Sequence, residues 1–289
     1  MTSAITTVTL AGGVARDALL ASLSARLIAA GSPRIVLATV LVGDDAPSRT
    51  YVASKHRTAR ALGLESVHVE LPASASQDEL ETQVAALVAN PDVHGILVQL
   101  PLPGHLDAER VLSLLPPEKD VDGLTSASMG RLMRGLPGHV GCTPLGVVRL
   151  LQHYNIPTAG QHAVVIGRST LVGLPLSVLL ARKGIDCTVT LAHSRTKNLV
   201  DICRSADIVV SATGLAHSIT NQHISPGAVV VDVGISRTES GIVGDVDAVS
   251  VTGIASALTP MPGGTGLMTV ACLMENTVNA AAMQRVRLP

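Results

Sequence analysis

Val164-Val165-Ile166-Gly167-Arg168-Ser169-Thr170-Leu171-Val172-Gly173-Leu174-Pro175 decides the fold of this chain. Its apolar run breaks at Gly167 into a short polar loop, and Pro175 marks the first turn of a helix. The pattern predicts a buried strand, a turn and a helix N-terminus. In such a unit the free backbone N–H groups and the positive end of the helix dipole face a phosphate. Gly167 and Gly173 do not complete a G-x-G-x-x-G, so the loop alone is a weak fingerprint. It gains force from a second feature far upstream, at Tyr51 and Lys55.

Outward from this stretch, strand and helix alternate almost throughout, the mark of an α/β architecture with parallel strands. Strands are predicted at 163–166, 188–191, 208–211 and 229–233, with a last helix over 269–283. Upstream, strands are predicted at 35–42, 67–71 and 95–100. Helices are predicted at 51–62, 78–89 and 145–153, with a short one ending at 111–115. A chain of 289 residues exceeds one average domain, so two lobes are expected. Residues 1–145 form the first, to which a helix over 268–289 returns; residues 146–267 form a second, Rossmann-like lobe. A ligand cleft is expected between them.

Composition excludes several classes. Lys plus Arg (21) nearly balances Asp plus Glu (22), leaving no electrostatic footprint for nucleic acid. No apolar run approaches the ~18 residues that span a bilayer, and the N-terminus lacks a signal-peptide pattern. Cys142, Cys187, Cys203 and Cys272 are scattered with no C-x-x-C. They suit buried thiols in a reducing cytoplasm better than disulfides or zinc. The ten His show no metal-ligand pairing, so no metal is expected. Phe and Trp are absent, and Tyr51 and Tyr154 are the only aromatic rings apart from histidine. Lys55, Lys119, Lys183 and Lys197 are the only lysines in a chain that otherwise uses arginine. A lysine in a site can lose its proton, which arginine cannot do; compositional drift is the plainer account of the other three.

In open parallel sheets, ligands bind beyond the carboxyl ends of the strands. Three segments fall there: 42–48, 99–103 and 119–123. Tyr51 and Lys55, at i and i+4, share one helix face. A ring and an amine there, beside the Gln99 amide and the Asp122 carboxylate, suit a planar nitrogen heterocycle. Each element also has a plainer reading. Y-x-x-x-K arises by chance on helices, Gln99 can satisfy loop backbone, and Asp122 can be a turn residue before Gly123. Short-chain dehydrogenases also use Y-x-x-x-K, but with the glycine-rich turn ahead of it; here the order is reversed.

Taken together, the motifs resemble the bifunctional methylenetetrahydrofolate dehydrogenase/methenyltetrahydrofolate cyclohydrolase family. The matching strings are Tyr51-Val52-Ala53-Ser54-Lys55, Gly95-Ile96-Leu97-Val98-Gln99-Leu100-Pro101-Leu102-Pro103 and Lys119-Asp120-Val121-Asp122-Gly123. Cys142-Thr143-Pro144, Val165-Ile166-Gly167-Arg168-Ser169, Val172-Gly173 and Thr259-Pro260-Met261-Pro262-Gly263-Gly264 follow in order. The resemblance implies Tyr51 packing on the folate ring system, Lys55 handling protons, Gln99 holding Lys55, and Asp122 on the pterin edge. Leu100, Pro101, Pro262, Gly263 and Gly264 would complete the substrate site. It further implies NADP bound through Gly167, Arg168, Ser169, Gly173, Ser194, Arg195, Thr213, Gly214 and Ile235, and a homodimer. The implied reaction oxidises 5,10-methylenetetrahydrofolate to the methenyl cation, then hydrates it to 10-formyltetrahydrofolate.

The cofactor can be argued separately. A NAD-type fold carries a ribose-binding carboxylate after its second strand. Here 188–192 runs into His193-Ser194-Arg195. A hydroxyl and a guanidinium, joined by Arg168, suit a 2′-phosphate; a solvated Arg195 is the plainer alternative. The chain departs from the family pattern at Gly141, Thr265 and Leu267, and at Ala216-His217. Proline is usual at 141 and 267, and its loss frees φ in segments expected to border the cleft. A monofunctional dehydrogenase and a folate- or nucleotide-binding paralogue without turnover are the alternative readings.

Overall fold

Val36–Val42 is a strand in which all seven residues are buried, as expected of a parallel strand covered on both faces. The computed structural model describes residues 5–239, 241–284 and 286. In chain order its elements begin with β1 (Val8–Thr9), α1 (Gly12–Ala29), β2 (Val36–Val42), α2 (Ala46–Ala61) and β3 (Glu65–Leu71). There follow α3 (Gln77–Ala89), β4 (Gly95–Val98), α4 (Ala108–Ser113), α5 (Ser126–Met133), α6 (Cys142–His153) and β5 (His162–Ile166). Next come α7 (Gly173–Ala181), β6 (Thr188–Ala192), α8 (Leu199–Arg204), β7 (Ile208–Ser211) and β8 (Val229–Asp232). The chain ends with β9 (Ser236–Thr238), β10 (Gly241–Val243), α9 (Ala248–Val251), β11 (Ala257–Leu258) and α10 (Thr265–Met283).

Two compact units divide the chain: Ala18–Cys142 with Val270–Pro289, and Met1–Asp17 with Thr143–Thr269. In the first, three parallel strands run in the order β3-β2-β4. The chain leaves central β2 through α2 to one edge and returns through α3 to the other. Strand order therefore reverses at the carboxyl end of β2, where open α/β sheets bind ligands. Val40, Leu80, Val84, Ile96, Val98 and Val111 are buried in its core. α3 starts on a capping box, with the Ser76 and Glu79 side chains each taking the other's backbone N–H.

The second unit holds six parallel strands in the order β1-β11-β8-β7-β5-β6. β5 lies between β6 and β7, so the order reverses at its carboxyl end, just before Gly167. Val164, Val209 and Val230, fully buried, pack in one apolar cluster beside this sheet.

Three sequence expectations need correction. Residues 1–145 do not form one block: Val8 pairs with Ala257 and Thr9 with Leu258, so β1 is an edge of the six-stranded sheet. Strands of two residues carry no readable period. A Cβ on Gly12 would fall on the Gly264 carbonyl, so only glycine allows that approach. α2 begins at Ala46, well before Tyr51, because the Asp45 carboxylate accepts the Ser48 N–H at 2.9 Å and Pro47 fits the first turn. α10 begins at Thr265, which places Leu267 inside a helix where no fixed proline φ is required. The Thr265 hydroxyl donates to the Asp232 carbonyl at 3.0 Å, a tie that an apolar side chain there could not make.

Candidate active site

On α2, the amphipathic spacing buries Val52, Lys55 and Ala59 together. Lys55 is therefore carried into the interior with the apolar face of its helix. It is 4 % exposed, a rare state for a lysine. Its Nζ donates to Gln99 Oε1 at 3.0 Å and lies 4.3 Å from the centroid of the Tyr51 ring. Gln99 follows the last residue of β4, so its backbone is fixed by the sheet, with its N–H on the Val40 carbonyl at 2.8 Å. Its Nε2 donates to the Leu100 carbonyl at 2.6 Å, which leaves Oε1 to face the lysine. Gln99 thus both satisfies loop backbone and holds Lys55.

Burial pushes the Lys55 amine below the usual lysine range, against the opposing pull of Asp122 and Cys142. Burial also pushes the Asp122 carboxyl up, against the opposing effects of Lys55 and a hydrogen bond from Cys142. Both groups are driven toward their neutral forms. An amine of lowered pKa beside a carboxyl of raised pKa is a pair suited to proton exchange.

The Lys119-Asp120-Val121-Asp122-Gly123 string divides into support and site. Lys119 Nζ donates to the carbonyls of Val88 and Asn90, at 2.9 and 2.7 Å, closing the C-terminus of α3. Asp120 accepts the N–H groups of Leu124 and Thr125 at 3.2 and 2.9 Å. Val121 is fully buried. Gly123 has φ +67°, and a Cβ there would come within 2.6 Å of Gly141 N. That leaves Asp122 to the site.

Two residues around Asp122 were missed from the sequence site. The Asn276 Nδ2 spends its two hydrogens on the carbonyls of Val121 and Val140, at 2.8 and 3.0 Å, locking the Asp122 loop onto α10. Cys142 Sγ, buried and 3.4 Å from the Val121 carbonyl, is the other. Cys142 lies in a quoted motif, but nothing in its spacing ties a thiol to a carboxylate twenty positions earlier.

In the six-stranded unit, Gly167 has φ +123° and would place a Cβ on the Ala212 carbonyl. Gly173 would place one on the Gly167 carbonyl, so β5, the loop and α7 meet with no room for side chains. Among the described residues no side chain caps the N-terminus of α7. Ser169 instead braces the loop, its Oγ accepting the Val172 N–H at 3.2 Å. Arg168 and Ser169 are exposed. Ile166 pairs with Ala192 across β5 and β6, which sets His193-Ser194-Arg195 beside this loop. His193 Nδ1 accepts the Arg195 N–H at 3.1 Å and its carbonyl the Thr196 N–H at 2.8 Å, so Ser194 and Arg195 are presented on a tight turn. A glycine-lined bend, an uncapped helix N-terminus and two exposed arginines fit a dinucleotide with an additional phosphate. Thr213 and Gly214 follow β7 and Ile235 follows β8, all at carboxyl strand ends. Pro262, Gly263 and Gly264 belong to this six-stranded unit, whereas Leu100 and Pro101, which directly follow Gln99, belong to the three-stranded one.

The chain as a whole is similar to known proteins. Residues 11–122 match the catalytic domain of tetrahydrofolate dehydrogenase/cyclohydrolase, and residues 141–285 its NAD(P)-binding domain. The Bifunctional protein FolD of Oleidesulfovibrio alaskensis is 51 % identical over 84 % of this chain and 85 % of its own length. The crystal structure of the Campylobacter jejuni FolD dehydrogenase/cyclohydrolase superposes with TM-score 0.92 at 40 % identity, covering 96 % of this chain and 99 % of that one. The Trypanosoma brucei FolD, solved with NADP cofactor and inhibitor, gives TM-score 0.90 at 36 % identity over 96 % and 98 % of the two chains. The chain belongs to the tetrahydrofolate dehydrogenase/cyclohydrolase family.

Proposed function

We propose that this chain oxidises 5,10-methylenetetrahydrofolate to the 5,10-methenyl cation with NADP⁺ and hydrolyses that cation to 10-formyltetrahydrofolate. The observation that carries the reading is the buried Lys55 amine, held at 3.0 Å on Gln99 and 4.3 Å over Tyr51. Relatives at about half identity carry the name of a bifunctional protein, and the family includes a structure solved with NADP.

The three-stranded unit, with the C-terminal helix, holds the folate, and the six-stranded unit holds the cofactor. Tyr51 packs on the folate ring system and Asp122 takes the pterin N–H edge. Leu100 and Pro101 extend the substrate site beyond Gln99. Gly167, Ser169 and Gly173 cradle the pyrophosphate; Arg168, Ser194 and Arg195 read the 2′-phosphate; Thr213, Gly214 and Ile235 finish the pocket. NADP⁺, when bound, supplies the hydride acceptor. The chain's own part in that step is positioning.

For the hydration, burial disfavours the charged form of Lys55, and the amine gives one N–H to Gln99, so the deprotonated amine acts as the base toward water. The methenyl cation reinforces this, since a nearby positive charge disfavours a second one. As water adds, Lys55 takes its proton, and the Tyr51 ring and Asp122 stabilise the ammonium so formed. The ammonium then returns that proton to N5 as the C–N5 bond of the adduct breaks, the adduct hydroxyl loses its proton to solvent and becomes the formyl carbonyl, and the 10-formyl product leaves.

The chain acts as a homodimer in the cytoplasm. Among the described residues no helix is long and apolar enough to cross a membrane, and the four buried, unbridged cysteines support a reducing compartment. Mixing enzyme, methylenetetrahydrofolate and NADP⁺ tests the chemistry: NADPH absorbance rises, and methenyl absorbance appears and decays faster than in buffer. A rise without accelerated decay would reduce the chain to a dehydrogenase. Neither signal would leave a binding protein.

A further inference from the structure

Asp245 is fully buried and Asp232 is 2 % exposed. Among the described residues neither carboxylate enters an ion pair. Their charge is met mostly by loop backbone. Asp245 Oδ2 accepts the N–H groups of Thr213 and Gly214, at 2.6 and 3.3 Å, and the Ser211 hydroxyl at 3.0 Å. Asp232 accepts the N–H groups of Gly234 and Asp245 on Oδ1, at 3.0 and 3.1 Å, and that of Val246 on Oδ2 at 2.9 Å.

The two side chains interlock with two glycines. A Cβ on Gly234 would fall inside the Asp245 carboxylate, and one on Gly244 inside that of Asp232. Among the described residues Asp245 Oδ1 has no hydrogen-bond partner and packs against Gly234, so this carboxylate spends its hydrogen bonds on the turn after β7 through Oδ2 alone. Every turn so fixed lies at or beside the carboxyl end of β7 or β8.

We propose that Asp232 and Asp245 are positioning residues for the cofactor: their carboxylates jointly set the turns that present Thr213, Gly214 and Ile235. The proposal rests on the cofactor reading above. It identifies the acidic pair as the reason two adjacent loops hold one shape before any ligand arrives, which spares the ordering cost of binding. Burial pushes the Asp232 carboxyl up, with Asp245 adding to the effect and the backbone N–H groups opposing it. Those N–H donors are therefore what keeps the arrangement.

The test is isothermal titration of NADP⁺ and of a folate analogue into parent, Asp245→Asn, Gly234→Ala and Ser211→Ala, each corrected for folded fraction. Asp245→Asn weakens the acceptor, and Gly234→Ala displaces the carboxylate without changing charge. Both should weaken NADP⁺ binding by about tenfold or more and raise KM for NADP⁺ more than they lower kcat. Ser211→Ala removes one donor only, tolerates folding best, and should weaken NADP⁺ by about threefold. Folate-analogue affinity should hold in all three. Unchanged NADP⁺ affinity in folded variants, or equal losses for both ligands, would overturn the positioning role while leaving the cofactor site intact. Failure of the parent to bind NADP⁺ would overturn the cofactor reading and this proposal with it.

Discussion

Lys55 Nζ and Gln99 Oε1 are 3.0 Å apart, joining the middle of α2 to the end of β4 by a single hydrogen bond. Lys55 lies on the helix that follows β2 and Gln99 directly follows β4, and these two strands are neighbours in one sheet. Lys55→Met should abolish hydration of the methenyl cation, because the apolar chain fills the same space and offers no base. Folate binding should persist. Methenyl decay at the parent rate in the purified variant would remove Lys55 from the mechanism.

Gln99→Leu is the companion experiment. It leaves the lysine buried and nearly isosteric but strands one of its N–H donors, and it frees the Leu100 carbonyl from Nε2. Losing a hydrogen bond to a buried donor costs about 1–3 kcal/mol. Hydration should therefore fall by one to two decades, with a smaller change in folate affinity. A variant with full hydrolase activity would show that Lys55 needs no acceptor there.

Asp122→Ala separates site from scaffold within one short string. Lys119 and Asp120 close a helix and a turn, so the loop backbone has supports that do not depend on Asp122. Unpaired pterin donors cost about 1–3 kcal/mol each, so affinity for a folate analogue should drop at least tenfold while NADP⁺ affinity barely moves. A lower melting temperature with intact folate affinity would make Asp122 a turn residue.

Arg168 and Arg195 are both exposed and follow paired strand ends, Ile166 and Ala192. Alanine at both should raise KM for NADP⁺ far more than for NAD⁺. One charge-assisted phosphate contact is worth about 1.5–3 kcal/mol, or one to two decades. Equal effects on the two cofactors would show that neither guanidinium reads the 2′-phosphate.

β2, β4, β5 and β8 were legible because they are almost uniformly apolar with glycine or proline close by, as at Val164-Val165-Ile166-Gly167. The start of α2 was hidden: Asp45 and Pro47 read as loop residues, although they are an N-cap and a first-turn proline. α1 opens on Gly12-Gly13, a pair that argues against a helix until Gly264 shows why a side chain is excluded. Tyr51 and Lys55 were legible from helical spacing, since both lie on one element. Asn276 was not, because its partners at Val121 and Val140 are brought to it only by the tertiary fold. Asp232 and Asp245 escaped for the same reason, as their roles depend on which backbone N–H groups close around them.

His94 supplies a prediction about pH. It is 8 % exposed, and its Nδ1 accepts the Val36 N–H at 3.2 Å, which only an unprotonated Nδ1 can do. Burial, with Lys119 and Arg34, holds its pKa below the ordinary imidazole value, against an opposing pull from Asp92. The folded state therefore binds fewer protons than the unfolded state in the window just below pH ~6.5. Stability rises with pH across that window. The contribution of a neutral His94 is complete above the unfolded pKa, and it falls away as acid drives the unfolded chain to bind protons first. His56, His139 and His223 are shifted the same way, each chiefly by burial, so their effects add to the slope. Thermal melts from about pH 8 to 5 should show a falling melting temperature below pH ~6.5. His94→Asn keeps an acceptor for Val36 but cannot titrate, and it should flatten part of that fall while leaving the melting temperature at pH ~8 nearly unchanged. An identical pH slope in His94→Asn and parent would show that His94 does not carry the effect.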